Sequence, residues 1–117
     1  MLNCSISKEG DIEIVYLEGN LDATTADVLS KTLLDFFEAG RHQIILEMGG
    51  VSYISSNGLR PLLEWLEATQ QIAGRRRLVV CNLHEFIKEV FKITEFDLKL
   101  PIYEDAESAL GAFKQNI

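Results

Sequence analysis

The chain has 117 residues, 47% hydrophobic and 25% charged, and its eighteen acidic and eleven basic side chains give a formal charge of −7. That length buries a core as one domain over 1–117, with no need for disulfide or metal staples. The acidity argues against nucleic acid or an anionic membrane surface as the main partner, because both require a basic surface, and is compatible with a protein partner carrying a basic patch.

The first β-rich run covers 2–7, followed by Lys8-Glu9-Gly10-Asp11 and then Ile12-Glu13-Ile14-Val15-Tyr16-Leu17. Glycine beside aspartate between two such runs predicts a hairpin. Glu18-Gly19-Asn20-Leu21-Asp22-Ala23-Thr24-Thr25 reads as a cap and turn region, after which Leu29, Leu33, Phe36 and Phe37 keep helical spacing until Gly40. Gln43-Ile44-Ile45-Leu46-Glu47-Met48 predicts a strand buried on both faces, closed by Gly49-Gly50. A helix over 59–72 follows, with Leu59, Leu62, Leu63 and Leu66 on its apolar face and Gly74 as its stop. Arg77-Leu78-Val79-Val80-Cys81 predicts the next buried strand, and Leu83, Phe86, Ile87 and Val90 the helix after it. Lys99-Leu100-Pro101-Ile102-Tyr103 fits a short edge strand, where proline is tolerated. Ala106, Ala109, Leu110 and Phe113 then mark a last helix with an acidic first turn. The order β-β-α-β-α-β-α-β-α predicts an α/β fold: a mixed, mostly parallel sheet with an opening hairpin and about four helices.

Cys4 and Cys81 lie far apart and form no Cys-x-x-Cys pair, which suggests reduced thiols in a cytosolic protein. His42 and His84 have no clustered companions, so neither a metal nor another cofactor is expected. The start Met1-Leu2-Asn3-Cys4-Ser5 lacks the basic and apolar regions of a signal peptide, and no apolar run reaches membrane-spanning length. A cytoplasmic location is the resulting expectation.

The most informative stretch is Tyr53-Ile54-Ser55-Ser56-Asn57-Gly58-Leu59-Arg60, where a strand hands over to a helix. Helix N-termini present unpaired N–H groups and tolerate an anion. A serine there has two readings: an N-cap, or a hydroxyl displayed for phosphorylation. Pro61 is comfortable only in a first helical turn, which fixes the helix start near Asn57 or Gly58.

Taken together, Leu17-Glu18-Gly19-Asn20-Leu21-Asp22 with Thr25-Ala26, the 44–48 strand, Val51-Ser52-Tyr53-Ile54-Ser55-Ser56-Asn57-Gly58-Leu59 and Phe91-Lys92-Ile93-Thr94-Glu95-Phe96 resemble a STAS domain. The resemblance covers essentially the whole chain and points to the bacterial anti-sigma factor antagonists, which share this fold with the cytosolic tails of sulfate transporters. It implies partner switching. The unphosphorylated antagonist binds an anti-sigma factor that doubles as a serine kinase, phosphorylation releases it, and a phosphoserine phosphatase resets the cycle. The serine two places before the glycine is the implied phosphoacceptor, here Ser56, with Ser55 as second choice. Many members carry aspartate directly before the acceptor, where this chain has Ser55, and serine or alanine after it, where this chain has Asn57.

The resemblance also places Asn20 and Asp22 beside the phosphosite and, with Ser55, Asn57, Gly58 and Arg60, in a partner-binding surface. Asp22 either orients the serine or caps the first long helix. Arg60 either faces the partner or is solvated, and Trp65 is either an exposed interface anchor or core. Glu64 and Glu67 read as solvated, and Arg75-Arg76-Arg77 as a turn. A serine hydrolase is disfavoured, because Ser56 lacks the Gly-x-Ser-x-Gly elbow. The absence of a Gly-rich phosphate loop likewise disfavours nucleotide hydrolysis. The alternative to the switch is a non-catalytic scaffold or accessory subunit of a stressosome-like or lipid-transport complex.

Overall fold

The computed structural model describes residues 1–70 and 77–114. Its elements run β1 (Leu2–Glu9), β2 (Ile12–Leu21), α1 (Ala26–Glu38), β3 (Gln43–Ile54), α2 (Arg60–Thr69), β4 (Arg77–Cys81), α3 (Glu85–Ile93), β5 (Ile102–Tyr103) and α4 (Ala106–Lys114). The strands form one sheet in the order β1-β2-β3-β4-β5, with β1 antiparallel to β2 and every other pair parallel. This is the mixed, mostly parallel sheet that the element order predicts. The expected stop of the second helix at Gly74, together with Arg75 and Arg76, lies outside the described residues.

Strand alternation divides the core in two. Ile44, Leu46 and Met48 point toward α1, α2 and α3, packing with Leu29, Leu33, Leu62, Ile87 and Phe91. Ile12, Ile14, Ile45, Val79 and Cys81 point the other way, onto Ala109 and Phe113 of α4. Two strands are longer than their sequences suggest. β2 runs through Glu18-Gly19-Asn20 to Leu21, and β3 passes through Gly49-Gly50 to Ile54. A Cβ on Gly50 would lie 2.7 Å from the Leu17 carbonyl oxygen, and the β2–β3 register shifts between Tyr16 and Glu18. Gly50 therefore serves a close backbone approach at a bulge rather than a turn, and Gly49 beside it leaves room for the Asn82 side chain. Their effect is to carry β3 onward to the serines.

The α2 face is rotated from the expected one. Trp65 is buried (4% exposed), edge-on to Phe37 and near His42, while Leu63 is exposed. The core positions follow the 62, 65, 66, 69 spacing, so Trp65 is core and no interface anchor. On α3, Leu83 is buried ahead of the helix, and Phe86 stands out in solvent, stacked on Tyr53 at 6.1 Å.

Glu13 faces the helix side of β2 and is 2% exposed, paired with Arg41 from the loop after α1. Removing Arg41 strands a buried carboxylate. Because the Arg41 side chain is itself half exposed, water offsets part of that cost. Arg41→Ala is expected to destabilise by about 2 kcal/mol in urea unfolding; a change under about 0.5 kcal/mol would contradict the assignment.

Burial foremost, with the Glu47 and Asp105 carboxylates adding to it, pushes the Cys81 thiol up to about 12 from its ordinary 9.0. Burial raises Cys4 as well. The unfolded chain gives up these protons first, so the stabilisation is complete below about pH 9 and is lost as pH rises toward 12. Urea midpoints measured through that window should fall, and Cys81→Ala should flatten the slope. An unchanged slope would contradict the burial argument.

Candidate functional site

The parallel register sets Asn20 beside Tyr53 and Leu21 beside Ile54, so β2 and β3 end level with each other. Beyond Ile54 the Ser55 amide donates to the Leu21 carbonyl at 3.0 Å, and a 3-10 turn over Ser56–Leu59 leads into α2. Gly58 sits directly on the end of β2. A Cβ there would lie 2.1 Å from the Leu21 carbonyl oxygen and 2.6 Å from its carbon. Only glycine allows that approach, so the close fit of turn to strand end rests on this residue.

The two serines divide the work. Ser55 is the cap: its backbone is extended, and its Oγ accepts from the Gly58 amide at 3.2 Å. The cap reading considered for Ser56 therefore belongs to Ser55. Ser56 is exposed, and its hydroxyl makes no hydrogen bond among the described residues. Asn57 is exposed beside it, and Pro61 occupies the first turn of α2, as its missing N–H requires.

Asp22 ties the loop between β2 and α1. Its Oδ1 accepts from the Thr24 hydroxyl at 2.7 Å and amide at 2.9 Å and from the Thr25 amide at 3.2 Å, while its own amide donates to Thr25 Oγ1 at 2.9 Å. The residue immediately before α1 is Thr25, so Asp22 closes the preceding turn rather than capping the helix itself. The Thr24 hydroxyl foremost, followed after a smaller opposing effect of burial by the Thr24 and Thr25 amides, holds the Asp22 carboxyl below its usual range. Asp22 is thus anionic at neutral pH. Asn20 Oδ1 accepts from Ser52 Oγ at 3.2 Å, which fixes that side chain across the strand pair.

Arg60 is engaged on both sides. Its guanidinium donates to Asp27 of α1 at 3.2 Å and to Glu64 at 3.1 Å, and Glu64 also accepts from Ser30 of α1 at 3.1 Å. Glu64 is therefore part of a polar clasp between α1 and α2. The Arg60–Glu64 half follows the helical i, i+4 spacing and is legible in the sequence. Asp27 and Ser30 are more than thirty positions away, and no sequence signal joins them to it. The fold thus gathers Asn20, Asp22, Ser55, Ser56, Asn57, Gly58 and Arg60 at one end of the sheet. His84 and His42 face carbonyl oxygens, Gly49 at 2.7 Å and Phe37 at 3.3 Å, so neither serves Ser56 as a base.

Among the described residues no group of acidic, histidine or cysteine side chains could hold a metal ion, and no helix is long and apolar enough to cross a membrane.

The STAS domain family model matches residues 3–109. BtrV of Bordetella bronchiseptica, which carries the name of an anti-sigma factor antagonist, is 31% identical over 113 residues, covering 97% of this chain and 96% of its own. A Thermotoga maritima protein described in the same terms superposes with a TM-score of 0.85 at 21% identity, over 93% of this chain and 92% of that one. The unphosphorylated anti-sigma factor antagonist SpoIIAA superposes at 0.70 with 19% identity, over 98% of this chain and 100% of that one. The Bacillus SpoIIAA has also been solved in its phosphorylated form, which superposes at 0.71 with 17% identity, over 95% of this chain and 99% of that one. A family match of this span, with an antagonist relative that is nearly collinear, makes the chain a member of the STAS domain family, among its anti-sigma factor antagonists.

Proposed function

We propose that this chain is a cytoplasmic anti-sigma factor antagonist working by partner switching, with the whole chain as one STAS unit and Ser56 as its phosphoacceptor. The unmodified protein binds an anti-sigma factor serine kinase. The kinase moves the γ-phosphoryl of ATP onto Ser56 Oγ, a base takes the hydroxyl proton, and ADP leaves. The phosphorylated protein lets go, and a phosphoserine phosphatase restores the hydroxyl. The chemistry belongs to those partners; this chain is the substrate.

The observation that carries the reading is the split between the serines: Ser55 holds the turn, and Ser56 is exposed with no hydrogen bond to its hydroxyl among the described residues. The relatives named as antagonists, and a neighbour in the same fold solved with and without phosphate, add support. Phosphate on Ser56 brings nearly two negative charges to a helix start that tolerates them, so the fold stays intact. The loss falls at the interface, where the docking protein supplies no counter-charge and a dianion is costly to desolvate.

The test is to incubate the wild type and Ser56→Ala with ATP and the candidate anti-sigma-type kinases of the source organism, then map phosphate by peptide mass spectrometry. The expected result is phosphate on Ser56 that is absent from the variant. Phosphate on Ser55 instead would correct the acceptor. No modification by any of these kinases would overturn the switch and favour a scaffold.

A further inference from the structure

Resting on that reading of Ser56, we infer that Arg60 is the intramolecular receptor for the phosphate and gives up Asp27 and Glu64 to take it. In the unmodified protein the Arg60 guanidinium is shared between Asp27 Oδ1 at 3.2 Å and Glu64 Oε2 at 3.1 Å. All three side chains are open to solvent, at 45% exposure for Arg60, 90% for Asp27 and 51% for Glu64. Ion pairs in such surroundings are weak and exchange readily.

Ser56 opens the 3-10 turn and Arg60 is the first residue of α2, so four steps separate them. At about 2 Å of rise per residue that is roughly 8 Å along the axis, a span that an arginine and a phosphoserine cover together. Arg60 is also the only basic residue in the two segments that build the site, 20–22 and 55–60. Arginine binds phosphate with two parallel, charge-assisted hydrogen bonds, a stronger arrangement than either single carboxylate contact seen here. The phosphate also adds negative charge beside Asp27 and Glu64, which already share Arg60, and it repels both. Arg60, the cation in contact with both carboxylates, goes to the group with the greatest charge.

The exchange has a structural consequence. Arg60–Asp27 is an ionic tie from the start of α2 to α1, and once it is released only the Ser30–Glu64 hydrogen bond of the clasp remains. Phosphorylation then alters the α1–α2 surface as well as adding charge at Ser56.

The experiment uses full-length chain with phosphoserine encoded genetically at position 56, and follows the second phosphate ionisation by phosphorus NMR. The wild type is expected to titrate about half a pH unit or more below Arg60→Gln. Asp27→Asn, which removes a competitor for the guanidinium, should titrate lower still, and Arg60→Lys should fall between wild type and Arg60→Gln. Equal titration of wild type and Arg60→Gln would overturn the inference, as would an Asp27→Asn variant that titrates no lower. No kinase is needed to install the phosphate, so a chain that no kinase modifies fails the switch separately. Partner release with equal titrations keeps the switch and rejects the role of Arg60.

Discussion

Gly58→Ala is expected to lower the thermal midpoint by roughly 12 °C. A methyl group at this position lies 2.1 Å from the Leu21 carbonyl oxygen, 2.6 Å from its carbon and 3.1 Å from the Asp22 amide nitrogen. All three are backbone atoms at the end of a parallel strand pair, and none can rotate out of the way. Relief requires the turn to lift off β2, which strains the hydrogen bond from the Ser55 amide to the Leu21 carbonyl and unseats buried Leu59. Overpacking of this kind costs about 3 kcal/mol. The lifted turn also displaces Ser56, so phosphorylation by the kinase should slow together with the loss of stability. Thermal unfolding followed by circular dichroism gives the first readout; a midpoint within about 2 °C of wild type would contradict the close approach.

Ser56→Asp is expected to weaken binding to the anti-sigma partner by about 100-fold with almost no change in thermal midpoint. The exposed hydroxyl makes no hydrogen bond among the described residues, so the fold loses no contact when it is replaced. The new charge stands at a helix start, where the partial positive charge of the peptide dipoles favours it. At the interface the same charge must be desolvated without a partner. Ser55→Ala should behave in the opposite sense. It removes the cap on the Gly58 amide and costs about 1 kcal/mol of stability, while partner binding changes only a few-fold. Calorimetric binding and urea unfolding of the two variants separate the roles of adjacent serines. If the costs are reversed, the assignment of cap and acceptor is wrong.

The element order and the sheet were legible because helical and strand periodicities differ and the chain keeps them cleanly apart. Leu29, Leu33 and Phe36 mark the buried side of α1, and Ile44 to Met48 alternate between the two faces of the sheet. The extents of β2 and β3 were less legible. Gly19 and Gly49-Gly50 look like punctuation, yet they sit inside strands, where backbone crowds Gly19 and Gly50 and the Asn82 side chain crowds Gly49, which local composition does not reveal. Trp65 could be read as interface anchor or core, and tertiary contacts with Phe37 and His42 decided its side.

The site residues could be named from the resemblance, but their division of labour could not. Both Ser55 and Ser56 are competent caps by type, and the choice depends on which Oγ meets the Gly58 amide. Arg60 could be read as free because Asp27, its partner in α1, lies thirty-three positions away. Asp22 kept its cap-like chemistry but directs it into the turn before α1.

The central claim is that one phosphate on Ser56 separates two binding states of an otherwise unchanged fold. It is tested most directly by isothermal calorimetry of the anti-sigma kinase against unmodified chain and against chain carrying phosphoserine only at position 56. The account predicts tight binding of the unmodified protein and affinity about 100-fold weaker or lost for the phosphorylated one, with superimposable circular dichroism spectra. Equal affinity of the kinase for both forms would contradict it.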